Sequence, residues 1–159
     1  MKILKLSPDS RYLQKLALKL TNINKLQRLQ NMAARLITNT PWFCHITPVL
    51  CQLHWLPIGV RIKFKVILIT FNPIHGLVPY YIQSLIEVKE NSSYNLRSND
   101  EPLLAPPTFK SKKTLGDRAF QVAAPTLWNK RPSALRMETS LKPFKAKLKT
   151  SLFKEAYDL

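Results

Sequence analysis

Residues His45 to Gly76 read HITPVLCQLHWLPIGVRIKFKVILITFNPIHG, and this stretch decides the fold. Thr47 is predicted to be the N-cap of a short helix, with Pro48 in the first turn, where a missing N–H group costs nothing. The sequence Trp55-Leu56-Pro57 ends that helix. A second helix is predicted to follow, with Pro57 in its first turn.

The second helix is apolar around nearly its whole circumference. Its apolar residues are Val60, Ile62, Phe64, Val66, Ile67, Leu68, Ile69 and Phe71. A helix of this kind is usually central, with other helices packed around it. Gly76 is its predicted C-cap, although Pro73 is expected to end the helix early because proline lacks a backbone donor.

A helical pattern also runs from Arg11 to Thr38, with apolar residues every three or four positions. We expect a kink or cap near Asn22 and an end at Asn39-Thr40-Pro41. Three cations, Lys25, Arg28 and Arg35, fall on the face opposite the apolar residues. That face is either simply solvated or a phosphate-contacting stripe.

The second half of the chain is more irregular. A short helix is predicted from Pro79 to about Val88, and the run from Lys89 to Lys113 fits a loop or loose hairpin with extended segments at Tyr94–Arg97 and Leu103–Ala105. Helical patterns return over 114–129, divided by Pro125, and from Ser140, a predicted N-cap, to the C-terminus. The apolar stripe of the last helix is Leu141, Phe144, Leu148, Leu152 and Phe153.

The predicted fold class is therefore mainly α, a small irregular helical bundle with a loop or short β-hairpin insert near 90–113. The organisation is a lead-in (1–10), a helical core (11–88), an irregular insert (89–113) and C-terminal helices that pack on the core (114–159).

The charge balance points to a polyanionic partner. The 159 residues include 25 Lys plus Arg against 9 Asp plus Glu, a net charge of +16. Such an imbalance favours RNA or DNA, and an anionic membrane fits less well because no helix pairs a clean basic face with a deep apolar one. No signal peptide or membrane-spanning run is recognised, so an intracellular protein, nuclear or cytoplasmic, is expected.

Enzymatic chemistry finds little support in the sequence. Three glycines build no phosphate loop, and the scattered acids, with Asp100-Glu101 as the single adjacent pair, do not suggest a two-metal site. Cys44, His45, Cys51 and His54 allow either a zinc site of unfamiliar spacing or buried thiols and packing histidines. We therefore predict no catalytic residue, metal, cofactor or small-molecule substrate.

Aromatic residues leave a further alternative open. They are Trp42, Trp55, Trp128, Tyr80 and Tyr81. They either stack on bases, as in proteins that bind single strands, or pack in the core, which their apolar neighbours favour.

Six strings together resemble a known family. They are LQRLQNMAARLIT, HITPVLCQLHWLPIGVRIKFK, FNPIHGLVPYY, LRS, GDRAFQVAAPTLWN and FKAKLKTSLF. In this order, over about Leu26 to Phe153, they resemble the region after the polymerase domain of non-LTR (LINE-type) retrotransposon reverse transcriptases from animal genomes. The resemblance implies a non-catalytic fragment of an RNA-directed DNA polymerase, which holds template RNA or target DNA.

The chain departs from that family's pattern at Asn72-Pro73-Ile74 and at Lys130-Arg131. We interpret both as drift in a decayed genomic copy, and expect a truncated reading frame that begins at an internal Met. The alternatives are a module that docks on the missing polymerase domain, and a translated relic without present function.

Charge and predicted exposure select ten candidates for nucleic-acid contact. They are Lys25, Arg28, Arg35, Arg61, Lys63, Lys112, Lys113, Arg118, Lys145 and Lys149.

Overall fold

The computed structural model describes residues 8–89, 103–106 and 120–158. Its elements are α1 (Pro8–Thr38), α2 (Ile46–Gln52), α3 (Ile58–Ile74), α4 (Tyr80–Gln83), β1 (Glu87–Val88), β2 (Leu104–Ala105), α5 (Phe120–Asn129), α6 (Ser133–Arg136) and α7 (Leu141–Tyr157). The predicted fold class is confirmed, since helices dominate and the two short strands form an antiparallel pair.

The chain divides into two compact units. The first unit comprises Met1–Val60 and Ala156–Asp158, and the second comprises Arg61–Glu155 and Leu159. The boundary at residue 60 falls within α3, and the organisation into a core at 11–88 with C-terminal helices at 114–159 stays a prediction.

Helices α1, α2, α3 and α7 are each followed by a residue in the left-handed region, which after α7 is Asp158 with a φ of 52°. Asn39, His54 and Gly76 have φ of 51°, 53° and 66°, respectively. The residue after each one donates its N–H to the carbonyl five residues back, as in Thr40 to Arg35 at 3.0 Å and Leu77 to Asn72 at 2.9 Å. These are Schellman-type ends, which satisfy carbonyls that the helix leaves unpaired. The predicted stops at Asn39 and Gly76 are confirmed.

The orientation of α1 contradicts the sequence pattern. Over 21–38, the part of α1 whose side chains the structure describes, the buried positions are Gln30 and Ala34, whereas most of the leucine-rich stripe that periodicity assigns to the core is exposed. Exposed apolar residues of this stripe are Leu26, Leu29, Met32, Leu36 and Ile37. The helix is also continuous through Asn22, so no cap ends it there.

Amide side chains explain which face of α1 turns inward. Gln27 Oε1 accepts the N–H of Ile58 at 2.8 Å, and Gln30 Nε2 donates to the carbonyl of Leu56 at 2.9 Å. Gln27 Nε2 also donates to Gln30 Oε1 at 3.0 Å and to Asn31 Oδ1 at 2.9 Å. The two glutamines thus satisfy backbone groups on both sides of Pro57, which has no N–H of its own.

The first unit adds a small apolar cluster beside this amide network. Val49, Leu50 and Ala34 form its buried centre, and Trp55 and Tyr157 pack at its margin. The Tyr157 hydroxyl donates to the carbonyl of Trp55 at 2.5 Å. Burial, with a smaller contribution from Cys51, raises the pKa of Tyr157 to about 12, so this phenol keeps its proton at neutral pH.

Aromatic rings form the centre of the second unit. Phe71 and Phe144 stack with centroids 4.4 Å apart, and Trp128 lies 5.7 Å from Phe144. All three side chains are fully buried. Because Lys63 also approaches Glu155, α3 and α7 run antiparallel along this contact.

The prediction that α3 is enclosed on all sides is wrong. Ile67, Thr70 and Phe71 are fully buried, but Ile62 and Ile69 are 45% and 49% exposed. Those two isoleucines are seven residues apart and therefore share a helix face. No element among the described residues covers that face.

The hairpin begins earlier than predicted. Glu87 pairs with Ala105 and Val88 with Leu104, so α4 ends at Gln83 and the residues predicted to finish a helix form a strand. Tyr94–Arg97, the other predicted extended run, lies outside the described residues. The side chain of Asn129 replaces a further strand, because its amide accepts from Leu104 N–H at 3.0 Å and donates to Leu104 C=O at 2.9 Å.

Helix boundaries correct several smaller predictions. The N-cap of α2 is His45, without a side-chain cap bond, and Thr47 lies inside the helix. Pro73 and Pro125 lie inside α3 and α5 without ending or dividing them, and both are buried, so packing offsets the lost hydrogen bond. Ser140 does precede α7, and its carbonyl accepts the N–H of Phe144 at 3.1 Å, as expected of an N-cap residue.

We predict that Gly76→Ala lowers the free energy of unfolding by about 1–2 kcal/mol, because alanine is strained at a positive φ. The matched control is Gly59→Ala, in the first turn of α3, where an added Cβ meets no atom within 4 Å. That control is expected to be neutral or stabilising by up to about 1 kcal/mol. Urea unfolding followed by circular dichroism measures both variants, and equal effects would contradict the cap assignment.

Candidate nucleic-acid interface

Three lysines form a row on one face of α7. Lys142, Lys145 and Lys149 follow the i, i+3, i+7 spacing that places residues on one side of a helix, and all three are exposed. Among the described residues, no carboxylate forms an ion pair with them. We name these three residues the lysine row. Lys145 and Lys149 were predicted contacts, whereas Lys142 was missed although the same spacing identifies it.

The lysine row matches the charge spacing of a nucleic acid. Seven residues of helix span about 10 Å, and one strand of B-form DNA presents about three phosphates over that length. Phe144, Leu148 and Leu152 are buried on the neighbouring face of α7, and their burial keeps the lysine row on the solvent-exposed side.

Cations of α3 divide between solvent and an ion pair. Arg61 and Lys65, four residues apart, are exposed on one helix face. Lys63 lies 3.8 Å from Glu155, so part of its charge is neutralised within the second unit. Lys65 was not among the predicted contacts, although its spacing from Arg61 indicates the same face.

The candidates on α1 have different environments. Lys25 and Arg28 are exposed. Arg35 is half-buried, and its guanidinium donates to the carbonyls of Pro41 and Cys44, the latter at 2.7 Å. Arg35 therefore holds the turn after α1, a role that periodicity does not reveal. Lys112, Lys113 and Arg118 lie outside the described residues.

Arg131, in the sequence Lys130-Arg131 that we interpreted as drift, forms an ion pair with Glu155. Arg131 is only 8% exposed, and its Nη1 lies 2.8 Å from Glu155 Oε2. The hydrogen bond from Arg131 is the main reason that the pKa of Glu155 lies below its ordinary value of 4.5. Arg131 therefore has a defined structural role in the second unit.

Glu138 is the second acid that an internal lysine neutralises. Its carboxylate lies 2.5 Å from Lys147 Nζ, and this hydrogen bond lowers the pKa of Glu138. Lys147 therefore differs from the lysine row, although it lies on the same helix.

The tryptophans have three different environments. Trp128 is fully buried and Trp55 is half-buried in the first unit, so both pack as the core alternative predicted. Trp42 is 85% exposed and Tyr80 is 83% exposed. Base stacking therefore stays open for Trp42 and Tyr80, and the side chain of Tyr81 lies outside the described set.

Metal and membrane sites receive no support from the described residues. Within them, no group of three or more His, Cys, Asp and Glu side chains is placed to hold a metal ion. His45 and His54 are exposed, and His54 serves as the left-handed end of α2. In the same part of the chain, no helix combines the length and apolar character needed to cross a bilayer.

Comparisons of the chain with protein-family models, with curated proteins and with solved structures found no match.

We predict that Glu155→Gln lowers the free energy of unfolding by about 1–2 kcal/mol at pH 7. The change leaves the buried guanidinium of Arg131 without its carboxylate. Because the Glu155 side chain is about half exposed, the loss of unfolding free energy is smaller than for a fully buried ion pair. Lys63→Met is the matched control, since it removes only the longer and exposed contact, with an expected cost within about 0.5 kcal/mol.

The difference between wild type and Glu155→Gln should depend on pH. A lowered pKa means that the carboxylate stabilises the fold above its ordinary pKa, and that this stabilisation is lost as the pH falls through the lowered value. Unfolding at pH 7 and at pH 3 tests this. A difference that persists unchanged at the lower pH would contradict the assignment.

Proposed function

We propose that this chain is a non-catalytic nucleic-acid-binding tail of a LINE-type retrotransposon reverse transcriptase, acting on template RNA or target DNA. The single observation that carries the binding role is the lysine row, three exposed and unneutralised cations held in line by a buried helix face. The family assignment is supported by the six sequence strings and is part of the proposal.

The distribution of acids supports the same role. The chain has only nine acidic residues, and the carboxylates of Glu138 and Glu155 already neutralise cations of the second unit. Among the described residues, no carboxylate forms an ion pair with the lysine row, so its charge is balanced by solvent counterions. Release of such counterions on binding phosphate is a main source of affinity for nucleic acid.

Replacing Lys142, Lys145 and Lys149 together with Gln should weaken binding to RNA and DNA and flatten its salt dependence. Each lost phosphate contact reduces the slope of log K against log salt by about 0.9 on duplex DNA and about 0.7 on a single strand, so the triple variant should lose about 2–3 units. Fluorescence anisotropy with labelled duplex DNA and single-stranded RNA over a salt series measures this.

The control has the same change in charge at other exposed lysines. Lys89, Lys130 and Lys154 replaced by Gln remove three exposed charges outside the lysine row. If the lysine row is the interface, this control variant retains most of the wild-type affinity for RNA and DNA and most of the slope of log K against log salt. Equal losses in both triple variants would show that net charge alone binds, and would contradict the assigned surface.

A second candidate function, docking on a polymerase domain, is favoured by the exposed face of α1. Leu29, Met32 and Leu36 are 62%, 61% and 83% exposed on this helix, although they have the size and spacing of core residues. Contiguous exposed apolar surface of this kind is typical of interaction sites. The lysine row and this face belong to different units and share no residue.

We predict that Leu29→Ser with Leu36→Ser reduces binding to a recombinant polymerase domain of a LINE-type element by at least tenfold. Both side chains are exposed, so the double variant should unfold within about 1 kcal/mol of wild type. Surface plasmon resonance measures the binding, and the lysine-row variant is the control, expected to bind the domain as wild type does. Undiminished binding by the serine variant would contradict docking through α1.

A further inference from the structure

The turn that follows α1 is held in one conformation by several hydrogen bonds. Arg35 donates to the carbonyls of Pro41 and Cys44, Cys44 N–H donates to Pro41 C=O at 3.2 Å, and Thr40 N–H donates to Arg35 C=O at 3.0 Å. The hydroxyls of Thr38 and Thr40 are 2.7 Å apart. None of these hydrogen bonds involves the two aromatic side chains of the turn.

Those two side chains, Trp42 and Phe43, are 85% and 72% exposed. Their ring centroids are 6.1 Å apart and their planes meet at 82°, so the rings form a right-angled corner and do not cover each other's faces. The indole face of Trp42 is open to solvent. A flat ligand that stacks on this face also stands nearly perpendicular to the Phe43 ring, which is a favourable edge-to-face arrangement.

The charge at the corner distinguishes between kinds of ligand. Arg35 bonds neutral carbonyls, so its positive charge is not cancelled, in contrast with that of Arg131 beside Glu155. Only two of its five N–H donors are used in the turn. An apolar protein surface laid over the corner would desolvate this charge at a cost, whereas a nucleotide brings a phosphate as well as a planar base.

We infer that Trp42, with Phe43 at its side and Arg35 beneath the turn, is a stacking subsite for one unpaired base of single-stranded RNA or DNA. This inference rests on the proposed function, and it predicts that the chain binds single-stranded nucleic acid in preference to a duplex. Base stacking on an exposed ring tolerates any sequence, so this subsite selects strandedness and not base identity.

The test compares Trp42→Ala, Trp42→Phe and the control Leu77→Ala in the full chain. Leu77 is 61% exposed and belongs neither to the lysine row nor to the exposed face of α1, so its truncation removes apolar surface without removing a ring. Circular dichroism first establishes that each variant keeps its helices. Anisotropy then measures the affinity for labelled oligouridine, for oligothymidine of equal length and for a duplex, each at several salt concentrations.

If the inference holds, Trp42→Ala weakens binding to both single strands by about fivefold to a hundredfold, with duplex binding and the salt slope unchanged. Trp42→Phe retains most of the affinity because it keeps a ring, and Leu77→Ala behaves as wild type. A loss on oligouridine alone would restrict the subsite to RNA, and a loss on oligothymidine alone would restrict it to DNA.

Three results would overturn the inference. If Trp42→Ala binds single strands with wild-type affinity, the stacking subsite is excluded and the proposed function is unaffected. Equal losses in Trp42→Ala and Leu77→Ala show that binding depends on exposed apolar area in general and not on the ring of Trp42. Failure of the wild-type chain to bind any of the three probes at low salt ends the proposed function and the subsite together.

Discussion

The second unit depends on the ion pair between the carboxylate of Glu155 and the guanidinium of Arg131. A guanidinium buried as deeply as that of Arg131 destabilises the fold unless it forms an ion pair with a carboxylate. Glu155 forms that ion pair and also lies within 3.8 Å of Lys63. Residues of α3, of α7 and of the turn between α5 and α6 thus meet at one acid. Glu138 similarly pairs with Lys147, and among the described residues no carboxylate forms an ion pair with the lysine row.

The first unit depends on amides, and this explains why periodicity failed there. A hydrophobic pattern reports which residues prefer burial, but it does not report which backbone groups lack partners. Pro57 interrupts the chain between α2 and α3, and the unpaired groups of Leu56 and Ile58 are matched by Gln30 and Gln27. Satisfying those groups orients α1 with its glutamines inward, so that Leu29 and Leu36 are left outside. An apolar stripe predicted as core thereby became a candidate interface.

Local chemistry was the part of the fold that the sequence predicted well. Helix ends at Asn39 and Gly76 and the start of α7 after Ser140 follow from the intrinsic preferences of those residues, and the helical class follows from the spacing of apolar residues. Pro73 and Pro125 show the limit, because burial overrode the propensity of proline to break a helix. The lysine row was half predicted, since charge and spacing find it, whereas the structural roles of Arg35 and Arg131 depend on contacts that only the folded chain defines.

The bond between Asn129 and Leu104 has a consequence for how this chain meets copies of itself. A two-stranded ribbon has outer edges whose unpaired N–H and C=O groups invite another strand, and such edges are common starting points of aggregation. At Leu104 both outward groups are already bound by one side-chain amide, which is donor and acceptor at once. That residue therefore offers no backbone template to an incoming strand. Neither aspartate nor leucine at position 129 would serve, because the first lacks the donor and the second lacks both groups.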